Sequence, residues 1–573
     1  MFALEYHEAT KHHFNRFARS AGYLDWATQP NPFRRYAGAP VTPLPRDAVA
    51  PSEPYTALFA GAEQAAPIGE ATVADFLRCA MGLSAWKEYR TSRWALRVNP
   101  SSGNLHPTEA YLVWNSRVSH YAPREHALEE RCRLRPPAMS EPSPGEDEVF
   151  LVALTSIFWR EAWKYGERAF RYCQHDVGHA IGALRFAAAR LGWQMTLVSD
   201  CSDEALAALL GLDRESDFMN AEREAPECLA VVARRTVVVD VAAWVVRARE
   251  GAWSGVANRL SSDHRDWPII DRVASATAYP GRPRAIRAVT PRATGGAARA
   301  ADEGGRAIIL RRRSAVAFDA RSSLPFAVFG SMLDRLRPGA SPWDAIDWPP
   351  QVHLALFVHR VDGLLPGLYA FLRDPGVLDQ WRAALRPDFL WEPVSGSGTR
   401  GSGLANDPNA PNPPSPRLRR ASDPNDLFLL LPLDMKWPAA RVSCDQDIAG
   451  DGYFSLGMIA RFEPALREHG EWFYRRLFWE CGLIGQALYL EAEAAGARAT
   501  GIGCFYDDPV HELLGLSGRD WQSLYHFSMG IPVEDDRLMT EPGYEWEAKK
   551  EEAKKEEAKK EEGTHIGKIC VEF

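Results

Sequence analysis

The sequence predicts an α/β or α+β fold made from two copies of one unit, and three observations support this prediction. A helical segment at residues 163–184, continuing to Gly192, matches residues 474–491 at a constant offset with no gap, so that Asp176 falls on Glu480. Apolar strand segments alternate with helical segments. The length of 573 residues exceeds the roughly 100 to 200 residues of a single domain.

Small residues recur at helical spacing within both copies of the repeated segment. Gly178 and Gly182 lie about one turn apart in the first copy, and Gly482 precedes Gln486 in the second. Residues without large side chains let another backbone come close, so we expect the two helices to pack against each other. The alternative is a pair of unrelated amphipathic helices that each end in glycine.

Composition excludes several classes of protein. Hydrophobic residues make up 46% and charged residues 25%, and the formal net charge of -8 gives no reason to expect a nucleic acid partner. No apolar run approaches the ~18 residues that span a bilayer, so no membrane partner is expected. Nine cysteines without a Cys-x-x-Cys pair are typical of a reducing compartment. Because Glu5 and Glu8 lie where a secretory signal would be apolar, we predict a cytoplasmic protein.

Periodicity and turn residues predict the elements of each half. The first half contains helix 73–83, strand 110–113, strand 149–154, the repeated helix, strand 195–198, helix 203–212 and strand 228–232. The second contains strands 354–358 and 368–372, a surface loop at 395–416, the repeated helix and strand 526–531. We therefore predict a first domain at residues 1–250 with an aromatic N-terminal arm, a linker at 251–305 and a second domain at 306–546.

A polar turn precedes strand 110–113. It consists of Pro100, Ser101, Ser102, Gly103 and Asn104, and residues of these types end regular elements. Two hydroxyls, an amide and free backbone N–H groups would form a polar cradle for a heteroaromatic ring. The alternative is an ordinary serine and glycine turn before a strand.

Consecutive arginines open the second half. Arg312 and Arg313 stand beside the hydroxyl of Ser314. Guanidinium groups match the geometry of phosphate oxygens, so this segment predicts a phosphate clamp. The alternative is a solvated basic turn.

A glycine-containing turn follows the second repeated helix. Gly501, Ile502 and Gly503 expose backbone N–H groups that can face a cofactor. Elsewhere, His7 and His12 are spaced so that they do not share one helix face, as the ligands of a zinc helix do. We therefore predict a cofactor-binding turn and no metal site.

The tail differs from the rest of the chain. From Glu547 it repeats Glu-Ala-Lys-Lys-Glu three times, a pattern that forms a solvated helix and is typical of an engineered linker. We assign residues 547–564 to this helical linker. Residues 565–573 form a tethered peptide that contains Cys570, and we expect it to be a substrate. The alternative is a disordered tag.

These motifs together resemble one known family. The residues that carry the resemblance lie at 100–109, 164–172, 312–314, 366–369 and 500–503, and the likeness extends over nearly all of residues 1–540. The chain resembles the nitroreductase superfamily of FMN enzymes, most closely a tandem-fused form of its SagB-type, azoline-dehydrogenase-like branch. The resemblance implies an α+β pseudo-dimer: two fused units, each with a mixed or antiparallel sheet flanked by helices, packed through long central helices with FMN between them.

The resemblance also implies how FMN would be bound. In the family, an Arg-Arg-Ser clamp holds the phosphate, a Pro-Ser turn of the partner unit meets the flavin, and a glycine-containing turn lies along the ring. Here the second half has the clamp and the Gly-Ile-Gly turn, whereas the first half has the Pro-Ser-Ser-Gly turn. We therefore predict one composite site in each chain.

Lys164 and Tyr165 resemble the lysine and tyrosine pair that azoline dehydrogenases use for proton transfer. A buried lysine can have its pKa lowered into the range of a useful base, and we predict that both residues are catalytic. The alternative is an ion pair between Lys164 and a nearby carboxylate, Glu167 or Asp176.

The predicted function is that of an FMN-dependent dehydrogenase acting on a peptide, at a cysteine-derived site or an azoline, in the maturation of a ribosomally made natural product. Hydride would pass from the substrate to the flavin. Two alternatives stay open: an NAD(P)H-dependent nitroreductase or quinone reductase, and a flavin-free peptide-binding partner. We expect a monomeric pseudo-dimer or a higher homo-oligomer.

Overall fold

The computed structural model describes residues 1–46, 53–137, 148–237, 239–282, 304–394, 426–547, 549 and 552. The surface loop predicted at 395–416, the tethered peptide at 565–573 and nearly all of the helical linker at 547–564 lie outside these residues. None of the helices described is both long enough and apolar enough to cross a membrane.

The first half contains eight helices and twelve strands among its described residues. The helices are α1 Phe2–Ala9, α2 Ala57–Ala60, α3 Glu70–Ala80, α4 Phe158–Tyr165, α5 Ala169–Arg190, α6 Asp203–Leu210, α7 Val241–Arg249 and α8 Pro268–Ala276. The strands are β1 Tyr36–Ala37, β2 Val41–Pro43, β3 Leu83–Tyr89, β4 Ser92–Arg97, β5 Thr108–Trp114, β6 Arg117–Ala122, β7 Ala127–Arg133, β8 Val149–Ser156, β9 Gln194–Leu197, β10 Ala225–Ala233, β11 Ala252–Trp253 and β12 Val256–Ala257.

The second half contains eight helices and ten strands among its described residues. Its described helices are α9 Gly305–Arg311, α10 Phe326–Arg335, α11 Leu378–Ala384, α12 Lys436–Val442, α13 Ile448–Asp451, α14 Glu463–His469, α15 Phe473–Ala494 and α16 Asp507–Leu514. Its strands are β13 Leu324–Pro325, β14 Val352–Val358, β15 Val361–Asp362, β16 Gly367–Phe371, β17 Glu392–Pro393, β18 Leu427–Leu431, β19 Phe454–Arg461, β20 Arg498–Ile502, β21 Trp521–Gly530 and β22 Met539–Pro542.

Each half is built on one antiparallel sheet. The strand order is β11-β7-β6-β5-β8-β10-β9 in the first half, with β2 also paired to β7, and β17-β18-β16-β14-β19-β21-β20 in the second. The two sheets have corresponding orders, which confirms the duplicated unit. Every ladder within them is antiparallel, so the fold is α+β, and the α/β alternative is wrong.

Helices α5 and α15 form the centre of the molecule. Each has 22 residues, and the offset found in the sequence aligns both their first and their last residues. A Cβ atom on Gly178 would lie 2.4 Å from the carbonyl oxygen of Trp479, and one on Gly482 would lie 2.4 Å from the carbonyl oxygen of His175. Only glycine leaves room for this crossing, which confirms the predicted packing of the two helices.

Alternation along the strands distributes the core over three hydrophobic layers. In β8, Phe150, Val152 and Leu154 pack in the central layer with α5 and α15, whereas Leu151 and Ala153 pack in an outer layer with α6 and α7. The sheet of the second half divides its side chains in the same way, with a separate outer layer. Successive residues of a strand point to opposite faces, so each sheet can be buried on both sides.

The two halves exchange their terminal segments. Strand β22, near the end of the second half, pairs with β3 of the first half and places Glu541 opposite Trp86. At the other end of the chain, the backbone N–H of Ala3 in α1 donates to the carboxylate of Glu471 at 2.8 Å. Each half therefore depends on the other to bury its arm.

The linker predicted at residues 251–305 begins inside the packed first half. Strand β11 pairs with β7, β12 pairs with β1, and Trp267 and Ile270 in and before α8 are buried in the central layer. Residues 252–276 therefore pack with the first half, and the domain boundary at residue 250 stays a prediction. These elements are too short for a periodic pattern, and only their packing on the sheet defines them.

Candidate functional site

A cavity of about 440 Å³ lies between the two halves. Its walls come from residues 94–106, from the face of α5 at 172–179, and from residues 312–316, 498–504 and 532–538 of the second half. Every residue predicted to bind the cofactor lines it: Pro100, Ser101, Ser102, Gly103, Asn104, Arg312, Arg313, Ser314, Gly501, Ile502 and Gly503. The volume falls in the range of small-molecule sites, roughly 300 to 1,000 Å³.

The Pro100–Asn104 turn is held by hydrogen bonds at both ends. The amide of Asn104 donates to the carbonyl oxygen of Ala95 at 2.9 Å, and the hydroxyl of Ser101 accepts from the backbone N–H of His106 at 2.8 Å. Gly103 has a φ of 59°, and a Cβ there would lie 2.6 Å from the hydroxyl oxygen of Tyr165. Both the backbone conformation and the close approach therefore require glycine.

Arg312 and Arg313 both donate hydrogen bonds to backbone carbonyl groups of the first half. Arg312 donates to the carbonyl oxygens of Val98 and Arg97 at 3.1 and 3.2 Å, and its Nη1 has no hydrogen-bond partner among the described residues. Arg313 donates to the carbonyl oxygen of Ser84 at 2.8 Å. Burial lowers the pKa of Arg312, and burial together with the Arg312 charge lowers that of Arg313 to about 9.

This arrangement leaves positive charge at the cavity wall. Among the described residues, neither Arg312 nor Arg313 forms an ion pair, whereas the adjacent Arg311 pairs with Glu493 at 2.7 Å. Ser314 completes the segment, and its hydroxyl shares a hydrogen bond of 2.9 Å with that of Tyr489. One buried and one partly buried cation without a carboxylate partner fit an anionic ligand group.

The glycine-containing segment, which comprises the end of strand β20 and the residue after it, lies beside the arginine segment, and the backbone N–H of Ala315 donates to the carbonyl oxygen of Ala499 at 3.0 Å. A Cβ on Gly501 would lie 1.9 Å from the hydroxyl oxygen of Tyr525, and one on Gly503 would lie 2.1 Å from a ring carbon of Tyr172. The backbone N–H of Gly501 donates to the hydroxyl of Tyr489 at 2.9 Å. The two glycines let the strand lie directly on the aromatic rings.

The two predicted catalytic residues end helix α4. Tyr165 lines the cavity and lies against Tyr172, with 4.4 Å between their ring centroids. Burial raises the pKa of Tyr165 well above its usual value of 10, so its hydroxyl stays protonated at neutral pH. Lys164 does not line the cavity, but its Nζ lies 3.2 Å from the position that a Cβ on Gly103 would take.

The ion pair considered as the alternative role for Lys164 is not formed among the described residues. Glu167 accepts a hydrogen bond from Arg19 at 3.0 Å, and Asp176 accepts from the backbone N–H of Ser102 at 3.1 Å. The ammonium group of Lys164 lies 5.2 Å from the ring centroid of Tyr165. Both carboxylates therefore have other partners.

Two buried carboxyl groups were missed as site residues by the sequence reasoning. Asp176 lines the cavity, and burial raises its pKa to about 7. Burial and the neighbouring Asp176 raise the pKa of Glu161, which is also fully enclosed. The sequence carried a signal for Asp176, because it is an acidic residue two positions before Gly178, in the part of the repeated helix that was expected to be buried.

The aligned positions of the second half differ in both chemistry and environment. Glu468 and His469 align with Lys164 and Tyr165, and Glu468 pairs with Arg461 at 3.2 Å on the surface. These residues end α14 outside the cavity.

Both halves of the chain are similar to known proteins. The nitroreductase family model matches residues 64–221 and 413–531, one region in each half. Among solved structures, a candidate nitroreductase from Anabaena variabilis has 19% sequence identity and a TM-score of 0.60, and the match covers 93% of this chain and 99% of that one. No curated protein matches the sequence.

Two further structures match smaller parts of the chain. A candidate nitroreductase from Ralstonia eutropha has 14% identity and a TM-score of 0.27 over 38% of this chain and 98% of that one. The Escherichia coli microcin synthetase McbBCD complex with truncated pro-MccB17 bound has 19% identity and a TM-score of 0.23 over 34% and 71%. TM-scores this low support no conclusion about this chain.

The full-length match and the corresponding sheets agree on the architecture. The family match in both halves indicates an oxidoreductase. The chain therefore has a nitroreductase-like α+β fold, with two domains in tandem that form a fused pseudo-dimer.

Proposed function

We propose that the chain is an FMN-dependent dehydrogenase that oxidises a peptide, in keeping with the SagB-type resemblance and a role in the maturation of a ribosomally made natural product. The observation that carries the proposal is the cavity wall at Arg312 and Arg313, where two guanidinium groups lack a carboxylate partner among the described residues. Such a wall fits the phosphate of a flavin mononucleotide.

The other walls fit the rest of that cofactor. Arg312, Arg313 and Ser314 would hold the phosphate, while the Pro100–Asn104 turn and the glycine-containing segment at 501–503 would hold the ring system. The two glycines let the backbone lie directly on Tyr525 and Tyr172, so that backbone and aromatic rings together line the cavity where a flat ligand would bind. When bound, FMN supplies a two-electron acceptor for hydride.

An open groove of about 1,410 Å³ supports a peptide as the substrate. Trp94 and Asn104 line both this groove and the cavity, so the two spaces adjoin. Its other walls carry aromatic rings with guanidinium groups stacked over them, such as Arg93 over Trp86 at 4.7 Å. An extended groove of this size exceeds the needs of a small nitro compound or quinone.

Lys164 and Tyr165 would transfer the proton that the substrate loses when its hydride is removed. Tyr165 faces the cavity, and its raised pKa keeps its hydroxyl a hydrogen-bond donor that can orient a substrate heteroatom. The position that a Cβ on Gly103 would take lies 3.2 Å from Nζ of Lys164 and 2.6 Å from the hydroxyl oxygen of Tyr165, so Lys164 is near enough to exchange a proton with that hydroxyl.

Loss of one arginine tests the cofactor site. Arg313→Ala is expected to weaken FMN binding about 10- to 150-fold, because charge-assisted hydrogen bonds are worth about 1.5 to 3 kcal/mol; Arg312→Ala should act in the same direction. Titration of flavin-free protein, followed by flavin fluorescence, measures both affinity and stoichiometry, and one FMN per chain is expected. Arg311→Ala is the matched control, since Arg311 pairs with Glu493. Two FMN per chain, or unchanged affinity in Arg313→Ala, would contradict the composite site.

Loss of the lysine tests the proton-transfer role. The probe is a synthetic peptide with the sequence of residues 565–573 in which Cys570 is converted to a thiazoline. Lys164→Met is expected to slow oxidation of the thiazoline to a thiazole about 100- to 10,000-fold without changing FMN affinity. Anaerobic flavin bleaching and mass spectrometry measure the loss of two hydrogens. Lys436→Met, which removes a surface lysine paired with Asp434, is the control.

The same experiment separates the alternatives. Rapid bleaching by NADH or NADPH, with no bleaching by the peptide, would favour a nicotinamide-driven reductase of nitro compounds or quinones. A purified chain that binds the peptide but no FMN would favour a flavin-free binding partner.

A further inference from the structure

Two cysteines that are distant in sequence meet at the wall of the central cavity. Cys444 follows α12 and Cys504 follows β20, and their sulfur atoms lie 2.6 Å apart. Cys504 lines the cavity, and Nδ1 of His12 in the N-terminal arm lies 3.8 Å from its sulfur. Both thiols are partly exposed, so a small solute can reach them.

The backbone around Cys444 is held in an uncommon conformation. Cys444 and Asp445 have φ angles of 58° and 56°, although neither is glycine. The carboxylate of Asp445 accepts a hydrogen bond from the hydroxyl of Tyr506 at 2.9 Å, which ties this loop to the segment that carries Cys504. Non-glycine residues in the left-handed region persist where surrounding contacts impose them, and they concentrate at functional sites.

The surroundings shift the pKa values of the two thiols in opposite directions. The hydrogen bond with the Cys444 thiol lowers the pKa of Cys504 to about 5, and His12 and Arg168 act in the same direction. Together these effects exceed that of burial, which raises the pKa. The Cys504 sulfur and burial raise the pKa of Cys444 well above its usual value. At neutral pH, Cys504 is therefore the thiolate and Cys444 donates to it, as in an attacking and resolving pair.

We propose that Cys444 and Cys504 are a redox-active dithiol–disulfide couple that exchanges with low-molecular-weight disulfides and thiols at the cavity wall. The Cys504 thiolate attacks a disulfide RSSR, one S–S bond breaks, and RS⁻ leaves as the mixed disulfide forms. Cys444 then gives its proton to the first RS⁻ and attacks the Cys504 sulfur, which releases the second RS⁻. The chain is oxidised by two electrons, and the disulfide is reduced to one thiol and one thiolate.

The distance between the sulfurs favours this couple over a shared metal ion. The ligand atoms of His12, Cys444 and Cys504 lie within 4.8 Å of one another, which is a metal-binding grouping by residue type. Two thiolates on one tetrahedral zinc, at about 2.3 Å each, would have their sulfurs about 3.8 Å apart. The observed contact of 2.6 Å is much closer than that.

Differential alkylation tests the couple in the full chain. The protein is equilibrated with mixtures of reduced and oxidised glutathione, quenched in acid, alkylated, digested and analysed by mass spectrometry. Oxidation is expected to remove two titratable thiols and to link the peptides that contain Cys444 and Cys504. Cys444→Ser should accumulate a glutathione adduct on Cys504, whereas Cys504→Ser should leave Cys444 free. Cys228→Ser, which removes a partly exposed cysteine outside the cluster, should behave like the original chain.

Two outcomes would overturn the proposal. One is that the alkylation of Cys444 and Cys504 in the unaltered chain stays the same across all glutathione mixtures. The other is release of a stoichiometric metal ion on mild acidification, with both thiols otherwise protected from alkylation and no linked peptide.

Discussion

Gly482→Val is expected to lower the free energy of unfolding by about 3 kcal/mol or more. The added side chain would collide with backbone atoms where the two helices cross, and backbone cannot move aside as a flexible side chain can. A Cβ at this position would lie 2.4 Å from the carbonyl oxygen of His175 and 2.6 Å from the Cα of Gly178. The two γ-methyl groups of valine, which lie beyond the Cβ atom, make the clash worse. Urea denaturation followed by tryptophan fluorescence measures the change.

A second helical glycine supplies the control. Gly330 lies in α10, and no heavy atom would come within 4 Å of a Cβ there. Gly330→Ala is expected to stabilise the chain by roughly 0.5 to 1 kcal/mol, since alanine loses less conformational entropy in a helix. If Gly482→Val were as stable as the original chain, the close crossing of α5 and α15 would be wrong.

Asp176→Asn is expected to stabilise the chain at pH 8 by at most about 4 kcal/mol, at about 1.36 kcal/mol for each unit of pKa shift. Burial raises the pKa of Asp176 from 3.8 to about 7, so the folded chain holds a proton that the unfolded chain releases. Stability therefore falls as pH rises between about 4 and 7. Asparagine carries no such proton, yet it can still accept from the backbone N–H of Ser102.

Denaturation of both proteins at pH 4, 6 and 8 measures this effect, and the difference between them should fade toward pH 4. The aligned residue of α15 gives a control of opposite sign. Glu480 binds the buried guanidinium of Arg373, so Glu480→Gln should destabilise the chain by about 3 kcal/mol or more by leaving that charge uncompensated. A stability difference for Asp176→Asn that did not change with pH would contradict the buried, proton-holding carboxyl.

Much of the site could be predicted because its parts are short and local. The Pro100–Asn104 turn, the arginines before Ser314 and the glycine-containing segment at 501–503 are each continuous in sequence, and their residue types restrict what they can bind. Family resemblance then placed all three around one cofactor. The structure places all three on the walls of one cavity.

The missed groups are those whose chemistry depends on neighbours that are remote in sequence. Cys444 and Cys504 are 60 residues apart, and His12 is 492 residues from Cys504. No periodicity links them, and an odd number of cysteines without a Cys-x-x-Cys pair gave no reason to join any two. Asp176 is an ordinary helical residue until burial raises its pKa.

The sequence by itself determined the duplicated unit, because the spacing of glycines along α5 and α15 records where two backbones must touch, and it determined the local motifs. Only the tertiary structure decided the exchange of terminal arms, the packing of residues 252–276 onto the first half, and which side chains lie in the dry interior. The reason is physical: propensity and periodicity act within a few turns, whereas burial, charge compensation and thiol reactivity are set by whichever distant segments share the same small volume.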